Sequence, residues 1–303
     1  MSFVIKRIRK IGAWILRNLG RYIIAPVVIF FARRASTTEQ PIAVHMLVSS
    51  KSWKMALLAI FSFEFFTKSF WKLVIHDDGS LSPKIIEKIK KKLPGVRLIL
   101  RKDADARVNE FLKNYPALQQ SRSTHNLFLK FSDTLPFLET ERFIILDSDL
   151  FFFAYPKEIM QWAESGDESC YYNKDTTDGY CINRASIEDA TKITLWEHFN
   201  SGLLLMSRKA IDFDLSETFV SEFESRANKP QFFEQTLYAL NTSAYNKGGA
   251  LPPKYEISWN LWRHPDSVCR HYVGPFKFDN LFIEGPFTLF LRMTLPSLFN
   301  NKL

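Results

Sequence analysis

Two aspartates, Asp147 and Asp149, follow the most hydrophobic predicted strand of the chain, Arg142 to Leu146, and precede Leu150 and three phenylalanines. In an extended backbone, residues two apart project to the same side, so the two carboxylates can converge on one point. Carboxylates this close among apolar neighbours repel each other unless a cation neutralises them. Hard divalent cations prefer oxygen ligands, and a diphosphate could complete the coordination shell. The pattern indicates a metal site, or otherwise a turn in which Asp and Ser cap backbone amides.

Alternating strands and helices are predicted to position this acidic pair. Apolar, β-rich runs predict strands at Ile42 to Ser49, Lys72 to His76, Val96 to Leu100 and Arg142 to Leu146. Helical spacing between them marks Met55 to Phe66 and Ser82 to Leu93. This alternation indicates an α/β fold with a Rossmann-like, mostly parallel sheet flanked by helices. Ligands bind beyond the carboxyl ends of the strands in such sheets, where Asp77, Asp78 and the acidic pair stand.

The net charge of +8 is concentrated at the N-terminus. Of the 40 Lys and Arg residues, eight lie in the first 34 residues, which contain no acid. The remaining 32 balance the 32 Asp and Glu residues of the chain. A formally neutral body has no charge excess with which to neutralise nucleic-acid phosphates, so nucleic acid is not expected as a partner.

Several common site signatures are missing from the sequence. It contains no Gly-rich phosphate loop, dinucleotide-binding Gly motif, nucleophile elbow or H-E-x-x-H zinc motif. Cys170, Cys181 and Cys269 lack the paired spacing of zinc and redox motifs. We therefore expect free thiols in a reducing compartment, and we do not expect a P-loop NTPase, a dinucleotide-fold dehydrogenase, an α/β-hydrolase or a zincin.

The basic N-terminal segment predicts an amphipathic helical arm. Apolar residues recur at helical spacing from Val4 to Tyr22, and the following run to Ala32 is apolar but contains Pro26. Extending that run to the roughly 20 residues of a spanning helix would bury Arg17 and Arg21. We therefore expect residues 1–34 to lie on an anionic membrane surface. The alternatives are a helix packed on the domain and a signal-anchor that spans the membrane; the polar segment Arg33 to Pro41 is typical of a linker.

The order of several motifs resembles the family 8 glycosyltransferases, the group of glycogenin and bacterial galactosyltransferases with the GT-A fold. The matching elements are Val44 to Ser50, Leu146 to Asp149, Phe199 to Gly202 followed by three leucines, Glu234-Gln235 and His271 to Lys277. The last element is similar to the family's H-Y-x-G-x-x-K-P-W and is the most specific of the five. The resemblance covers about Ile42 to Asp279, which is most of the chain.

The resemblance implies a role for each matching residue. Asp147, Asp149 and His271 would bind Mn²⁺, or Mg²⁺, against the diphosphate of a donor sugar nucleotide; an imidazole among carboxylates suits manganese better. Gln235 would lie beside the anomeric centre, with Glu234 in the place of a sugar-binding Asp. The implied donor contacts are Lys277 and Gly274 at the phosphates, Lys130 at the nucleotide, Asn200, Ser201 and Gly202 in the sugar pocket, and Ser49 with Asp77 or Asp78 near the base or ribose.

The resemblance implies a metal-dependent, retaining transfer of a hexose from a nucleotide-diphosphate sugar, most simply a UDP-sugar, to a saccharide or a lipid-linked or cell-envelope acceptor. Phe278 and Asp279 stand where the family has Pro-Trp, and Glu234 replaces an Asp; these changes bear on donor identity. The alternatives are a non-catalytic sugar-nucleotide or glycan-binding protein at a membrane, and a sugar-1-phosphate nucleotidyltransferase. The latter fold needs a Gly-rich basic loop that the sequence lacks.

These patterns divide the chain into three predicted parts. Residues 1–40 form the basic arm and linker, residues 41–280 the glycosyltransferase domain, and residues 281–303 an apolar tail that either docks on the domain or adds a membrane contact. We expect a cytoplasmic protein that is peripherally associated with the membrane, or alternatively a signal-anchored one. Trp259 and Trp262 either stack on an acceptor sugar or pack in the core.

Overall fold

The computed structural model describes residues 3–34, 38–274 and 277–295, and the side chains of 11–34, 40–274 and 280–295. The strands are β1 (Thr38–Val48), β2 (Ser69–Asp77), β3 (Arg97–Ile99), β4 (Arg142–Leu146), β5 (Leu150–Phe152), β6 (Cys170–Lys174), β7 (Phe199–Ser207), β8 (Gly248–Ala250), β9 (Tyr255–Ile257) and β10 (Cys269–His271). The helices are α1 (Phe3–Leu19), α2 (Ala25–Phe31), α3 (Trp53–Thr67), α4 (Pro83–Lys92), α5 (Arg101–Phe111), α6 (Pro116–Thr124), α7 (Leu129–Ser132), α8 (Lys157–Ser165), α9 (Arg184–Thr191), α10 (Phe213–Phe223), α11 (Phe233–Tyr245) and α12 (Lys277–Thr294).

The central sheet confirms the predicted fold class, a mixed α/β fold with a mostly parallel sheet flanked by helices. Its strand order is β3-β2-β1-β4-β7-β6-β8. The first four strands in that order are parallel, β7 runs antiparallel to both β4 and β6, and β6 and β8 are parallel. The four parallel strands are the ones predicted from the apolar runs, because strands covered on both faces have no polar alternation.

A second, three-stranded sheet brings the C-terminal part of the chain to the end of β4. In this sheet β10 lies between β5 and β9, antiparallel to β5 and parallel to β9. Since β5 follows β4 after three residues, its pairing places β10 beside the acidic turn, with His271 opposite Leu150. The small sheet therefore joins two segments that lie more than a hundred residues apart in sequence.

Two hydrophobic clusters cover the two faces of the central sheet. One cluster includes α2, α3, α4, α8 and α12, and the other includes α5, α6, α10 and α11. Side chains alternate between these clusters along β4, where Phe143 and Ile145 face one and Ile144 and Leu146 face the other. The alternation follows from the two-residue repeat of a strand. Asp147 comes directly after β4, at the carboxyl end of the parallel strands.

The N-terminal arm is helical and is held against the body. A π-helical turn, Gly20–Ile24, joins α1 to α2 and packs on α12. Gly20 lies so close to the carbonyl group of Phe282 that no side chain would fit there. Arg34 forms a buried ion pair with Glu64 of α3 at 2.7 Å. One face of α2 is thus in the core, as in the packed-helix alternative, while other arm side chains remain exposed.

The structure corrects the predicted linker, and the length of the arm helix fits both a helix on a membrane surface and one that spans the membrane. Arg33 to Pro41 is not a linker throughout, because β1 already begins at Thr38 and pairs with β2 from that residue. Among the described residues, one helical stretch, Ile11–Phe31, is long and apolar enough to cross a membrane by length and composition. A signal sequence or a core helix passes the same test, and 17% of the stretch is buried.

Candidate functional site

Two carboxylates and one imidazole meet beyond the end of β4. The Nε2 atom of His271 lies 3.1 Å from Oδ1 of Asp149 and 3.9 Å from Oδ2 of Asp147. One potential ligand atom from each residue lies within 4.8 Å of the other two. The two-residue spacing had suggested that the carboxylates converge along an extended strand. They converge instead through the turn between β4 and β5. The three residues that the resemblance grouped together do lie together, while their role as metal ligands stays a prediction.

The orientation of His271 leaves Nε2 facing the carboxylates. Its Nδ1 lies 3.0 Å from Oδ1 of Asn200. The Asn200 amide is fixed because its Nδ2 donates to Asp175 and its Oδ1 accepts from the backbone N–H of Gly202. Since Oδ1 can only accept, this contact is a hydrogen bond in the tautomer that carries its proton on Nδ1. In that tautomer Nε2 presents a lone pair toward two carboxylates, a set of ligand atoms that suits a divalent cation.

Gly202 makes room for this imidazole. A Cβ atom at position 202 would lie 2.5 Å from Nδ1 and 2.9 Å from Nε2 of His271. Ordinary contacts of a Cβ atom begin near 3.4 Å. Any larger residue on this part of β7 would therefore displace the ring from Asn200 and Asp149. The resemblance implied that Gly202 lines the sugar pocket; in the structure, the space where a side chain at this position would lie is filled by the His271 ring.

The ammonium group of Lys130 neutralises the carboxylates of Asp147 and Glu234. Its Nζ atom, on the short helix α7, donates to Oδ1 of Asp147 at 3.0 Å and to Oγ of Ser201 at 3.0 Å. It also lies 3.3 Å from Oε1 of Glu234. Burial lowers the pKa of this ammonium group, but the carboxylates of Asp147 and Glu234 outweigh burial and raise the pKa above its ordinary value. The resemblance predicted a nucleotide contact for Lys130, whereas its ammonium group here bonds to protein groups.

Glu234 and Gln235 enter the site from the first turn of α11. Burial raises the pKa of Glu234 to about 7, although the nearby ammonium group of Lys130 opposes the shift. Its Oε2 accepts a hydrogen bond from Ser201 at 3.2 Å. Gln235 accepts from the backbone N–H of Ser201 at 3.1 Å and donates to the carbonyl oxygen of Gly179 at 2.6 Å. Both ends of the Gln235 amide are therefore fixed by backbone groups.

The residues predicted to contact the base or ribose form hydrogen bonds within their own loops. Asp77 is the last residue of β2, and its Oδ1 accepts from the backbone N–H groups of Gly79 and Leu81. The carboxylate of Asp78 accepts from the backbone N–H and the hydroxyl of Ser80. The Ser49 hydroxyl bonds to that of Ser52. These side chains thus shape the loops after β1 and β2.

Gly274 and its neighbours follow β10. Gly274 has a φ of +76°, a conformation that favours glycine, and the Trp259 ring occupies the space that a Cβ atom would need. The side chain of Trp259 is 59% exposed and that of Trp262 is 50% exposed, so these tryptophans are not core residues. Lys277 is the first residue of α12; its side chain lies outside the described residues, as do Pro275 and Phe276.

Sequence reasoning missed two residues that support the site. Asp175, just after β6, accepts a hydrogen bond from Asn200 Nδ2 at 3.0 Å and thereby sets the orientation of that amide. Asn173, within β6, accepts from the backbone N–H of Leu203 at 3.2 Å, where the register of β6 against β7 shifts. The polar, aromatic composition of this stretch was the available signal, but isolated Asp and Asn residues have no spacing that distinguishes them.

Several solved glycosyltransferase structures have a similar fold, although no family model and no curated protein matches the sequence. Mouse xyloside xylosyltransferase 1 is 12% identical, with a TM-score of 0.53 over 77% of this chain and 97% of that one. The galactosyltransferase LgtC, solved with donor and acceptor sugar analogues, is 14% identical, with a TM-score of 0.53 over 86% of this chain and 100% of that one. GlyE of Streptococcus pneumoniae is 14% identical, with a TM-score of 0.50 over 86% of this chain and 64% of that one. The chain therefore has the GT-A fold of these glycosyltransferases, as its motif order predicted.

Proposed function

We propose that the protein is a metal-dependent, retaining glycosyltransferase that transfers a hexose from a UDP-sugar. The observation that carries the proposal is the cluster of Asp147, Asp149 and His271 at the carboxyl edge of a GT-A sheet. Two carboxylates and a neutral imidazole suit Mn²⁺, and Mg²⁺ is the alternative. A divalent cation beyond the ends of parallel strands is well placed to hold the diphosphate of a sugar nucleotide.

The chemistry needs charge stabilisation more than a covalent nucleophile. A sugar nucleotide already carries a good leaving group, so the enzyme must stabilise the charge that develops on the departing diphosphate. When bound, the cation supplies a Lewis acid for this charge. Lys277 begins α12, where the helix N-terminus also favours an anion, and we assign it and Gly274 to the phosphates. Lys130 holds Asp147 in place and keeps the surrounding carboxylates neutralised.

The residues on β7 and α11 form the proposed sugar pocket. Asn200 and Ser201 present polar groups beside the metal cluster, and Gly202 lets the His271 ring approach them. Gln235 has a positioning role near the anomeric centre, because both ends of its amide are fixed. Ser49, Asp77 and Asp78 shape the loops expected beside the base or ribose. Glu234 is proposed to orient the sugar through Ser201.

We further propose that the arm attaches the protein to an anionic membrane surface on the cytoplasmic side. Trp14, Ile15, Tyr22 and Ile23 are each more than half exposed, and Arg17 and Arg21 lie among them. Exposed apolar side chains interleaved with cations are typical of helices in a membrane interface. A signal-anchored helix is the alternative. Such an attachment favours an acceptor at the membrane, either a lipid-linked or a cell-envelope saccharide.

Donor hydrolysis tests this proposal. A panel of UDP-sugars is incubated with Mn²⁺ and the purified full-length protein, and release of UDP is measured. We expect turnover with at least one donor, loss of turnover on addition of a chelator, and at least a hundredfold lower kcat in Asp149→Ala, which removes a ligand of the cation.

Asp189→Ala is the matched control, because Asp189 is exposed on α9 and pairs only with Lys192 among the described side chains. Unchanged turnover in Asp149→Ala, or no turnover of any donor by the native protein, overturns the proposal. Binding of a UDP-sugar without turnover supports a non-catalytic binding protein instead.

A further inference from the structure

The helix α4 presents a row of lysines to solvent. Lys84, Lys88 and Lys91 recur at spacings of four and three, so they share one face of the helix, and Lys92 adjoins them. The opposite side packs in the core through Ile89. We call these four residues the lysine stripe. The helix contains five lysines and a single acid, Glu87, so the catalytic domain has a local cationic surface although its total charge is balanced.

The lysine stripe contacts the end of the N-terminal arm. Nζ of Lys92 donates to the carbonyl oxygen of Phe30 at 2.7 Å and lies 5.2 Å from the centre of the Phe30 ring. Arg33 donates to the same carbonyl oxygen at 2.9 Å. Burial, together with Arg33 and Lys91, lowers the pKa of Lys92. Cations from the arm and from the domain therefore meet at the C-terminus of α2, where the last carbonyl groups of a helix attract positive charge.

Two exposed aromatic rings lie beside Lys92 and Arg33. The side chains of Phe30 and Phe31 are 63% and 61% exposed and contact each other edge to face, with ring centres 5.0 Å apart. Among the described side chains, no carboxylate forms an ion pair with any lysine of the stripe. A pair of exposed phenylalanines costs free energy in water, and the lysines of the stripe, without ion pairs, remain available to anions.

We propose that the lysine stripe, with Arg33, Phe30 and Phe31, is a second contact with an anionic lipid bilayer, made by the catalytic domain itself. Apolar rings at the level of the lipid headgroups and cations beside anionic lipid are the two components of interfacial binding. An acidic polymer would use the lysines but would leave the phenylalanine rings in water, so a bilayer fits the surface better. The contact does not depend on glycosyl transfer.

Vesicle binding by the full-length protein tests this contact. The variant Lys88→Gln/Lys91→Gln removes two exposed cations while keeping side-chain length and the Lys92 bond to Phe30. At about 1 kcal/mol for each cation near an anionic surface, we expect about thirtyfold weaker partitioning onto phosphatidylcholine vesicles that contain about a third phosphatidylglycerol. Partitioning onto pure phosphatidylcholine vesicles should be unchanged.

The matched control is Lys102→Gln/Lys113→Gln, which makes the same change in charge at α5 and just beyond it. This helix packs on the opposite face of the sheet, so we expect native partitioning. Equal partitioning of the native protein and the stripe variant onto anionic vesicles overturns the proposal. A stripe variant that loses heparin binding but keeps vesicle binding also overturns it, in favour of an acidic polymer. Donor hydrolysis by both variants separates this result from a failure of the proposed enzyme activity.

Discussion

Replacement of Gly202 by alanine should weaken metal binding without unfolding the protein. The new Cβ atom would lie 2.5 Å from Nδ1 of His271, whereas ordinary contact begins near 3.4 Å. The ring must therefore move by about 1 Å. Such a shift competes with the 3.0 Å hydrogen bond to Asn200 and with the 3.1 Å approach of Nε2 to Asp149. Loss of an interaction that orients a metal-binding histidine typically lowers metal affinity about 10- to 100-fold.

Binding of Mn²⁺ alone, measured by calorimetry or by electron paramagnetic resonance, gives the readout for Gly202→Ala. We expect a Kd for Mn²⁺ at least tenfold higher than that of the native protein, with a cooperative thermal unfolding transition retained. Gly12→Ala is the control, because no atom lies within 4 Å of its added Cβ. A folded Gly202→Ala protein with the native Kd would refute the assignment of His271 as a ligand.

Two further predictions concern buried titratable groups. Lys130→Met should lower the free energy of unfolding by about 3–5 kcal/mol, since it leaves the buried carboxylate of Glu234 and the partly buried one of Asp147 without their cation. Urea denaturation should show partial recovery when Glu234→Gln is added, and no effect of either change would contradict the charge network. Burial lowers the pKa of His76 to about 4 and that of His45 well below its ordinary value. The unfolded chain therefore binds protons at these histidines near pH 6.5, whereas the folded chain binds them only at lower pH. The free energy of unfolding should therefore fall as the pH drops from about 6.5 to about 4, by roughly 3 kcal/mol for His76 alone, and a His76→Gln variant with the full native pH dependence would contradict this cause.

The parallel half of the sheet could be predicted from the sequence because its strands are buried on both faces. Continuous apolar runs such as Arg142 to Leu146 have few other structural explanations, and the helices between them have clear periodicity. Asp147 and Asp149 were predicted from their spacing after a strand, whereas His271 could be added only through motif order, since 122 positions separate it from Asp149. The antiparallel pairing of β5 with β10 brings Asp149 and His271 together, and no local sequence pattern predicts that pairing.

The side-chain partners within the site could not be predicted in this way. The resemblance implied a nucleotide contact for Lys130, but a position in sequence does not indicate that its ammonium group also bonds to Asp147. Asp77 looked available at the end of a strand, yet its carboxylate bonds to the backbone of its own turn. Both outcomes depend on which buried polar groups lack other partners, and that depends on the complete three-dimensional arrangement.

The strand β10 links the cluster of Asp147, Asp149 and His271 to the N-terminal arm. Adjacent residues of a strand point to opposite faces, so His271 faces Asp149 while Arg270 faces Glu284 of α12 at 2.6 Å. Arg270 is fully buried, and a shift of β10 that separated this ion pair would leave an uncompensated buried charge at a cost of about 3–5 kcal/mol. The strand is therefore locked in register, and α12, which locks it, also contacts Gly20 of the arm through Phe282. The N-terminal arm therefore packs on the same helix whose Glu284 holds β10 in register, so removal of the arm would expose part of the surface of α12.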